Sequence, residues 1–142
     1  MKALLTLFMM FLTLMISCKS ESESQKNIKK YYADSGIPID ASLFIVNGLG
    51  CYHSNMRVLG HFEERFKNRE GYFMITCDSS YFRLEEKSRL RTIRNLYVDS
   101  SNLIQRLNFG TSSPTIIDRT KEGTERVIAI NVDNVDSILS LY

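Results

Sequence analysis

Two cysteines and the residues around them carry the chemistry that this sequence offers. Cys51 opens the tetrad Cys51-Tyr52-His53-Ser54, directly after the loop Asn47-Gly48-Leu49-Gly50. A thiol at the start of a helix meets unpaired N–H groups and the positive end of the helix dipole, and both favour the thiolate. His53 can add positive charge when protonated, and Ser54 can donate a hydrogen bond to the sulfur. These features suit nucleophilic attack on a disulfide. The plainer alternative is a half-buried cysteine that only packs. The tetrad is C-x-x-S, so it holds no second thiol to resolve a mixed disulfide. Cys77 is the remaining candidate for that role, with burial as a small core residue as the alternative. A disulfide between the two would require Cα atoms within about 7 Å.

The third cysteine has a different context. Residues 1–18 read MKALLTLFMMFLTLMISC. Lys2 precedes an apolar run from Ala3 to Ile16, which is short for a span of about 20 residues and suits the core of a signal peptide. The stretch Leu14-Met15-Ile16-Ser17-Cys18 resembles a bacterial lipobox. That resemblance implies cleavage after residue 17, a diacylglycerol on the Cys18 sulfur and an acylated amine. An uncleaved anchor helix and a plain secretory signal are the alternatives. Acyl chains bury methylenes at about 0.8 kcal/mol each, so the anchor would be stable. The expected location is the bacterial cell envelope, with the domain outside the cytoplasm on a membrane, the outer one before the inner. Lys19 to Asn27 is polar and reads as a flexible tether that continues to residue 38.

Other chemistries find little support. The 142 residues, 44% hydrophobic and 24% charged, suit one globular domain. A net charge of +2 from 18 basic and 16 acidic side chains gives no reason to expect nucleic acid. His53, His61 and the cysteines show no metal-ligand spacing. Asn47-Gly48-Leu49-Gly50 lacks the pattern of a phosphate loop, and no cofactor motif appears. His61 reads as a helix-surface residue, and Glu63-Glu64 and Glu85-Glu86 read as solvated faces.

The elements that must position Cys51 follow from periodicity. Ser42–Asn47 is an apolar, β-prone run. Met56, Leu59, Phe62 and Phe66 form the stripe of a helix that begins near residues 51–54. Tyr72–Thr76 is a second strand, Phe82–Ile93 a helix, and Asn95–Asp99 a third strand. Ser100 or Ser101 can cap a short helix carrying Leu103, Ile104 and Leu107. Phe109–Arg119 enters a strand, Thr120–Thr124 turns, and Arg126–Val132 returns. Val135, Ile138, Leu139 and Tyr142 close the chain as a helix. This alternation predicts a three-layer α/β/α sandwich over residues 39–142. Its sheet is mixed, with a βα insertion and a C-terminal β-hairpin plus helix.

That order, with a cysteine just after the first core strand, resembles the thioredoxin fold. The stretch VDSSNLIQRLNFGTSSPTIIDRTKEG is similar to the TlpA type of thiol-disulfide proteins, relatives of the alkyl hydroperoxide reductases. Asp99, Phe109, Gly110, Pro114, Thr115, Ile116, Ile117, Asp118 and Gly123 fill the matching positions, and the likeness covers Ser42 to Tyr142. It implies that Pro114 is cis and packs beside Cys51, exposing the Ser113 backbone for an extended substrate. On the residues alone, Pro114 opens an edge strand in the trans form. The substrate groove would comprise Tyr52, His53, Ser113 and Thr115. The chain departs from the family in having Ser54 for the second cysteine and Gly50 where a Trp is usual. Two functions follow as expectations. One is monothiol thiol-disulfide exchange through Cys51 with cysteine-bearing envelope proteins or peptides. The other is binding without turnover. A peroxidase is disfavoured, because Gly48-Leu49-Gly50-Cys51 lacks the T-x-x-C frame.

Overall fold

The computed structural model describes residues 22–77, 81–107, 113–119 and 125–142. Cys18, the apolar N-terminal run, Phe109, Gly110 and the turn at 120–124 lie outside the described residues.

The folded unit begins earlier than residue 39. Helix α1 spans Glu23–Ser35, inside the segment expected to be a tether. Ser22 caps it: Gln25 N–H donates to Ser22 Oγ at 3.2 Å, and Ser22 N–H donates to Gln25 Oε1 at 3.0 Å. Gly36, at φ 71, ends it in the left-handed conformation that glycine adopts without a Cβ clash. Polar residues dominate the helix, which hid it from composition. Three apolar positions spaced i, i+3, i+4 suffice to dock it: Ile28, Tyr31 and Tyr32 are buried. The Tyr32 hydroxyl donates to Ala41 O at 2.5 Å, tying the end of α1 to the entry of the first strand.

Five strands follow: β1 (Ser42–Val46), β2 (Tyr72–Thr76), β3 (Leu96–Val98), β4 (Thr115–Arg119) and β5 (Glu125–Ala129), in the order β3-β2-β1-β4-β5. β1 pairs parallel with β2 and antiparallel with β4. β2 and β3 are parallel, and β4 and β5 antiparallel. β1 is central and every residue of it is buried, as a continuous Leu-Phe-Ile-Val run requires when both faces are covered. The expected strands at 95–99 and 126–132 are thus shorter or shifted.

Helices α2 (Tyr52–Arg65), α3 (Leu84–Leu90) and α5 (Val135–Leu139) cover one face. α1 and α4 (Leu103–Arg106) cover the other. On the first face Val58, Leu59 and Phe62 of α2 pack against Phe44 and Met74. Phe44 and Phe62 meet edge-on at 5.3 Å between centroids. On the second face α1 packs on Leu43, Ile45, Ile75 and Ile117. The helix expected over 82–93 is one of seven residues, but its flanks Phe82 and Ile93 remain buried. The short α4 is not capped by Ser100 or Ser101. Wholly buried Asp99 does that work, accepting from Ile104 N–H at 2.9 Å, while Asn102 turns through φ 53.

Candidate functional site

Parallel strands bring their carboxyl ends to one edge, where sites gather in open α/β sheets. β1 delivers Asn47 there, β2 delivers Cys77 and β3 delivers Asp99. Because Thr115 pairs with Ile45, antiparallel β4 starts at the same edge and brings Ser113 and Pro114 to it. The edge therefore collects most of the residues expected to form the site.

The loop from β1 to α2 is held by its own hydrogen bonds. Asn47 Oδ1 accepts from Leu49 N–H at 2.9 Å, and Asn47 O accepts from Gly50 N–H at 2.8 Å. Gly48 admits no side chain, since a Cβ there would lie 2.7 Å from Tyr81 Cβ and 2.9 Å from the Tyr81 carbonyl carbon. Cys51 then occupies the N-cap of α2 in extended conformation, φ −64 and ψ 119. Its thiol is exposed.

The Cys51 pKa is lowered. The Ser54 N–H is the main cause, followed by the Ser54 hydroxyl and the His53 N–H, with slight burial opposing them. The neutral thiol makes no capping bond, and Ser54 Oγ, fully buried, has no hydrogen-bond partner. The Ser54 hydroxyl is thus available to donate to a thiolate on Cys51. Cys77 contrasts with this. It is a buried free thiol, and burial, with a smaller contribution from the nearby Asp99 carboxylate, pushes its pKa up to about 11. It borders a small cleft of about 210 Å³ with Asn47, Leu49, Tyr81, Asn102 and Gln105.

A second set of contacts fixes the start of α2. Buried Asn55 donates through Nδ2 to Asn47 O at 2.8 Å and to Glu86 Oε1 at 3.1 Å. Glu86 Oε2 accepts from Arg83 N–H at 2.8 Å. Glu86 is 3% exposed, so it is not the solvated residue that its neighbour Glu85 is. Glu85 accepts from the Tyr52 hydroxyl at 2.6 Å, and the Arg83 guanidinium lies 4.1 Å from the Tyr52 ring centroid. Asn55 and Glu86 were missed in the sequence. The i, i+3 relation of Arg83 to Glu86 is the one local cue, because a carboxylate three residues into a helix reaches back to the N-cap amide.

Several expectations need correction. The Ser113–Pro114 bond is trans, as no cis peptide occurs among the described residues. Trans is the favoured form by about 0.5–1 kcal/mol. In it the Pro114 carbonyl accepts from Ile130 N–H at 2.7 Å, extending the β4–β5 ladder. Thr115 is buried, and its hydroxyl turns back to Ser113 O at 3.1 Å, so it presents no side chain to a groove. Tyr52 is half-buried and engaged with α3, leaving little freedom to receive a substrate. His53 is exposed and borders a cleft between α2 and α5 whose lining includes none of Cys51, Cys77, Ser113 and Thr115. His61 lines the same cleft and is half-buried. Its Nε2 has no partner, and burial, with some help from Arg65, lowers its pKa.

Among the described residues no group of three His, Cys, Asp or Glu side chains is placed to hold a metal ion. No described helix is long and apolar enough to cross a membrane. No family model, curated protein or solved structure matches the chain.

Proposed function

We propose that this chain is a lipid-anchored, thioredoxin-like protein of the bacterial cell envelope whose Cys51 exchanges with disulfides as a single thiol. The observation that carries this reading is the exposed Cys51 thiol at the N-cap of α2, with the Ser54 and His53 donors favouring its thiolate. Thioredoxin-like architecture is supported by the order of the elements. A parallel β1-α2-β2 unit and a β4-β5-α5 hairpin unit share one sheet with helices on both faces. The lipid anchor rests on the Leu14–Cys18 stretch.

In this scheme the Cys51 thiolate attacks one sulfur of a disulfide. The Cys51–sulfur bond forms, the original sulfur–sulfur bond breaks, and the departing thiolate takes a proton from water. The mixed disulfide is opened by a second thiol, which releases the Cys51 thiolate and leaves the captured group disulfide-bonded to that thiol. Cys77 is buried and protonated at neutral pH, so the second thiol comes from a partner protein or a small thiol. Binding without turnover is the competing reading, and Ser54 in place of a second cysteine favours it.

Alkylation of Cys51 against pH decides between them, in a chain that starts at Lys19 so that the Ser22 cap is kept, with Cys51→Ser as the blank. An apparent pKa below about 8.5 is expected. A value at or above it, with slow alkylation, would overturn exchange and leave binding.

A further inference from the structure

The cleft that Cys77 borders adjoins the Cys51 loop. Leu49 lines it, and two residue steps of at most about 3.6 Å each hold the Cys51 Cα within about 7 Å of the Leu49 Cα. Tyr81 forms another wall, packed so closely on Gly48 that a Cβ there would lie 2.7 Å from its own. Asn47 also lines the cleft, and its carbonyl accepts from the N–H of Gly50, the residue before Cys51, at 2.8 Å. At about 210 Å³ the cleft has room for one side chain, short of the roughly 300–1,000 Å³ of a small-molecule pocket.

The described lining carries no charge. The larger clefts elsewhere, of about 730 and 540 Å³, are lined by arginines and carboxylates. Leu49 and Tyr81 are 60% and 63% exposed, so each leaves apolar surface uncovered. Beside them, Asn102 stands at the N-cap of α4 but its side chain caps nothing, because Asp99 already accepts from Ile104 N–H. Neither the Asn102 amide nor that of Gln105 has a hydrogen-bond partner among the described residues. A side-chain amide both donates and accepts, as a peptide group does. A charged side chain would find no counter-ion in this lining. An apolar one would cover Leu49 and Tyr81, and its flanking peptide groups would meet the two free amides.

We infer that this cleft receives an uncharged peptide segment next to the disulfide that Cys51 attacks, with Leu49 and Tyr81 taking an apolar side chain and Asn102 and Gln105 pairing with the backbone. This rests on the reading of Cys51 as an exchanging thiol. It narrows the substrate to a cystine in an extended, apolar stretch of protein or peptide.

The full chain in detergent tests this with two disulfides. One is the disulfide-linked dimer of a blocked tripeptide with leucine on each side of its cysteine, and the other is hydroxyethyl disulfide, which has no peptide flank. Cys51 bonds to one half of either reagent and the other half leaves as a thiol. The adduct at Cys51 is followed by mass, with Cys51→Ser as the blank. The ratio of the peptide rate to the hydroxyethyl rate is expected to fall about two- to tenfold in Tyr81→Ala and in Gln105→Ala, the range for one lost contact. Both side chains are exposed, so neither change opens the core. Reaction with both disulfides, at a ratio unchanged in the two variants, overturns the subsite alone. A Cys51 that reacts with neither disulfide faster than the free tripeptide thiol does overturns exchange, and the subsite with it.

Discussion

Ser54 lies fully buried one turn inside the helix that Cys51 caps, and its amide and hydroxyl both favour charge on the Cys51 sulfur. The amide belongs to the backbone and survives any substitution, so the hydroxyl can be tested by itself. Ser54→Ala should raise the apparent pKa of Cys51 and slow its alkylation at neutral pH by a few-fold, up to about tenfold for one pKa unit. Ser54→Cys should place a second thiol in the same first turn. If the edge geometry supports exchange, turnover with a small thiol then rises above that of the native tetrad.

The Asn55–Glu86 bond ties the helix that carries Cys51 to the helix beside it. Asn55→Ala removes the donor to both Asn47 O and Glu86 Oε1 and leaves a buried carboxylate short of a partner. Urea unfolding should show a loss of about 1–3 kcal/mol. Glu86→Gln keeps an acceptor and should cost less.

Gly48 marks a close approach of backbones. Gly48→Ala would set a Cβ 2.7 Å from Tyr81 Cβ and 2.9 Å from its carbonyl carbon. Overpacking of this kind typically costs about 1–3 kcal/mol. Tyr81→Ala should not rescue it, because alanine keeps the Cβ and the backbone carbon stays where it is. Thermal unfolding of the single and double variants checks both statements.

The positions of Cys51 and of the central elements were legible because each depends on local pattern. An apolar β-prone run, two glycines and an i, i+3, i+4 stripe from Met56 onward suffice to place β1, its loop and α2. The start of the domain was not legible. In α1 a capping box and three buried side chains outweigh a polar composition, and packing on Leu43 and Ile45 decides the matter from outside the segment. The burial of Glu86 was hidden for a similar reason. Its partner Asn55 is 31 residues away in sequence, so no local window contains both. The trans Ser113–Pro114 bond, by contrast, is what the residues alone imply, and it was the family resemblance that pointed to cis.

Because α1 is part of the core, a chain that starts at Asp40 should fail to fold, whereas one that starts at Lys19 should not. Within α1, Ile28→Ala should cost about 2–5 kcal/mol, the range for removing a wholly buried aliphatic side chain. Tyr32→Phe should cost less, since it loses only the hydrogen bond to Ala41 O. Circular dichroism of the truncations and urea titration of the variants separate these outcomes.

His61 gives the fold an acid-side dependence. Burial, the larger cause, and Arg65 lower its pKa below the usual 6.5, while Glu64 acts the other way. The unfolded chain therefore binds this proton more readily than the folded one. Stability rises with pH wherever the unfolded state holds more protons, so the His61 contribution is complete above the unfolded value. It is lost as pH falls from about 6.5 toward the lower folded value. His61→Gln removes the titration and should flatten the stability profile just below about pH 6.5 relative to the native chain. An unchanged slope in that window would assign the acid sensitivity to other groups.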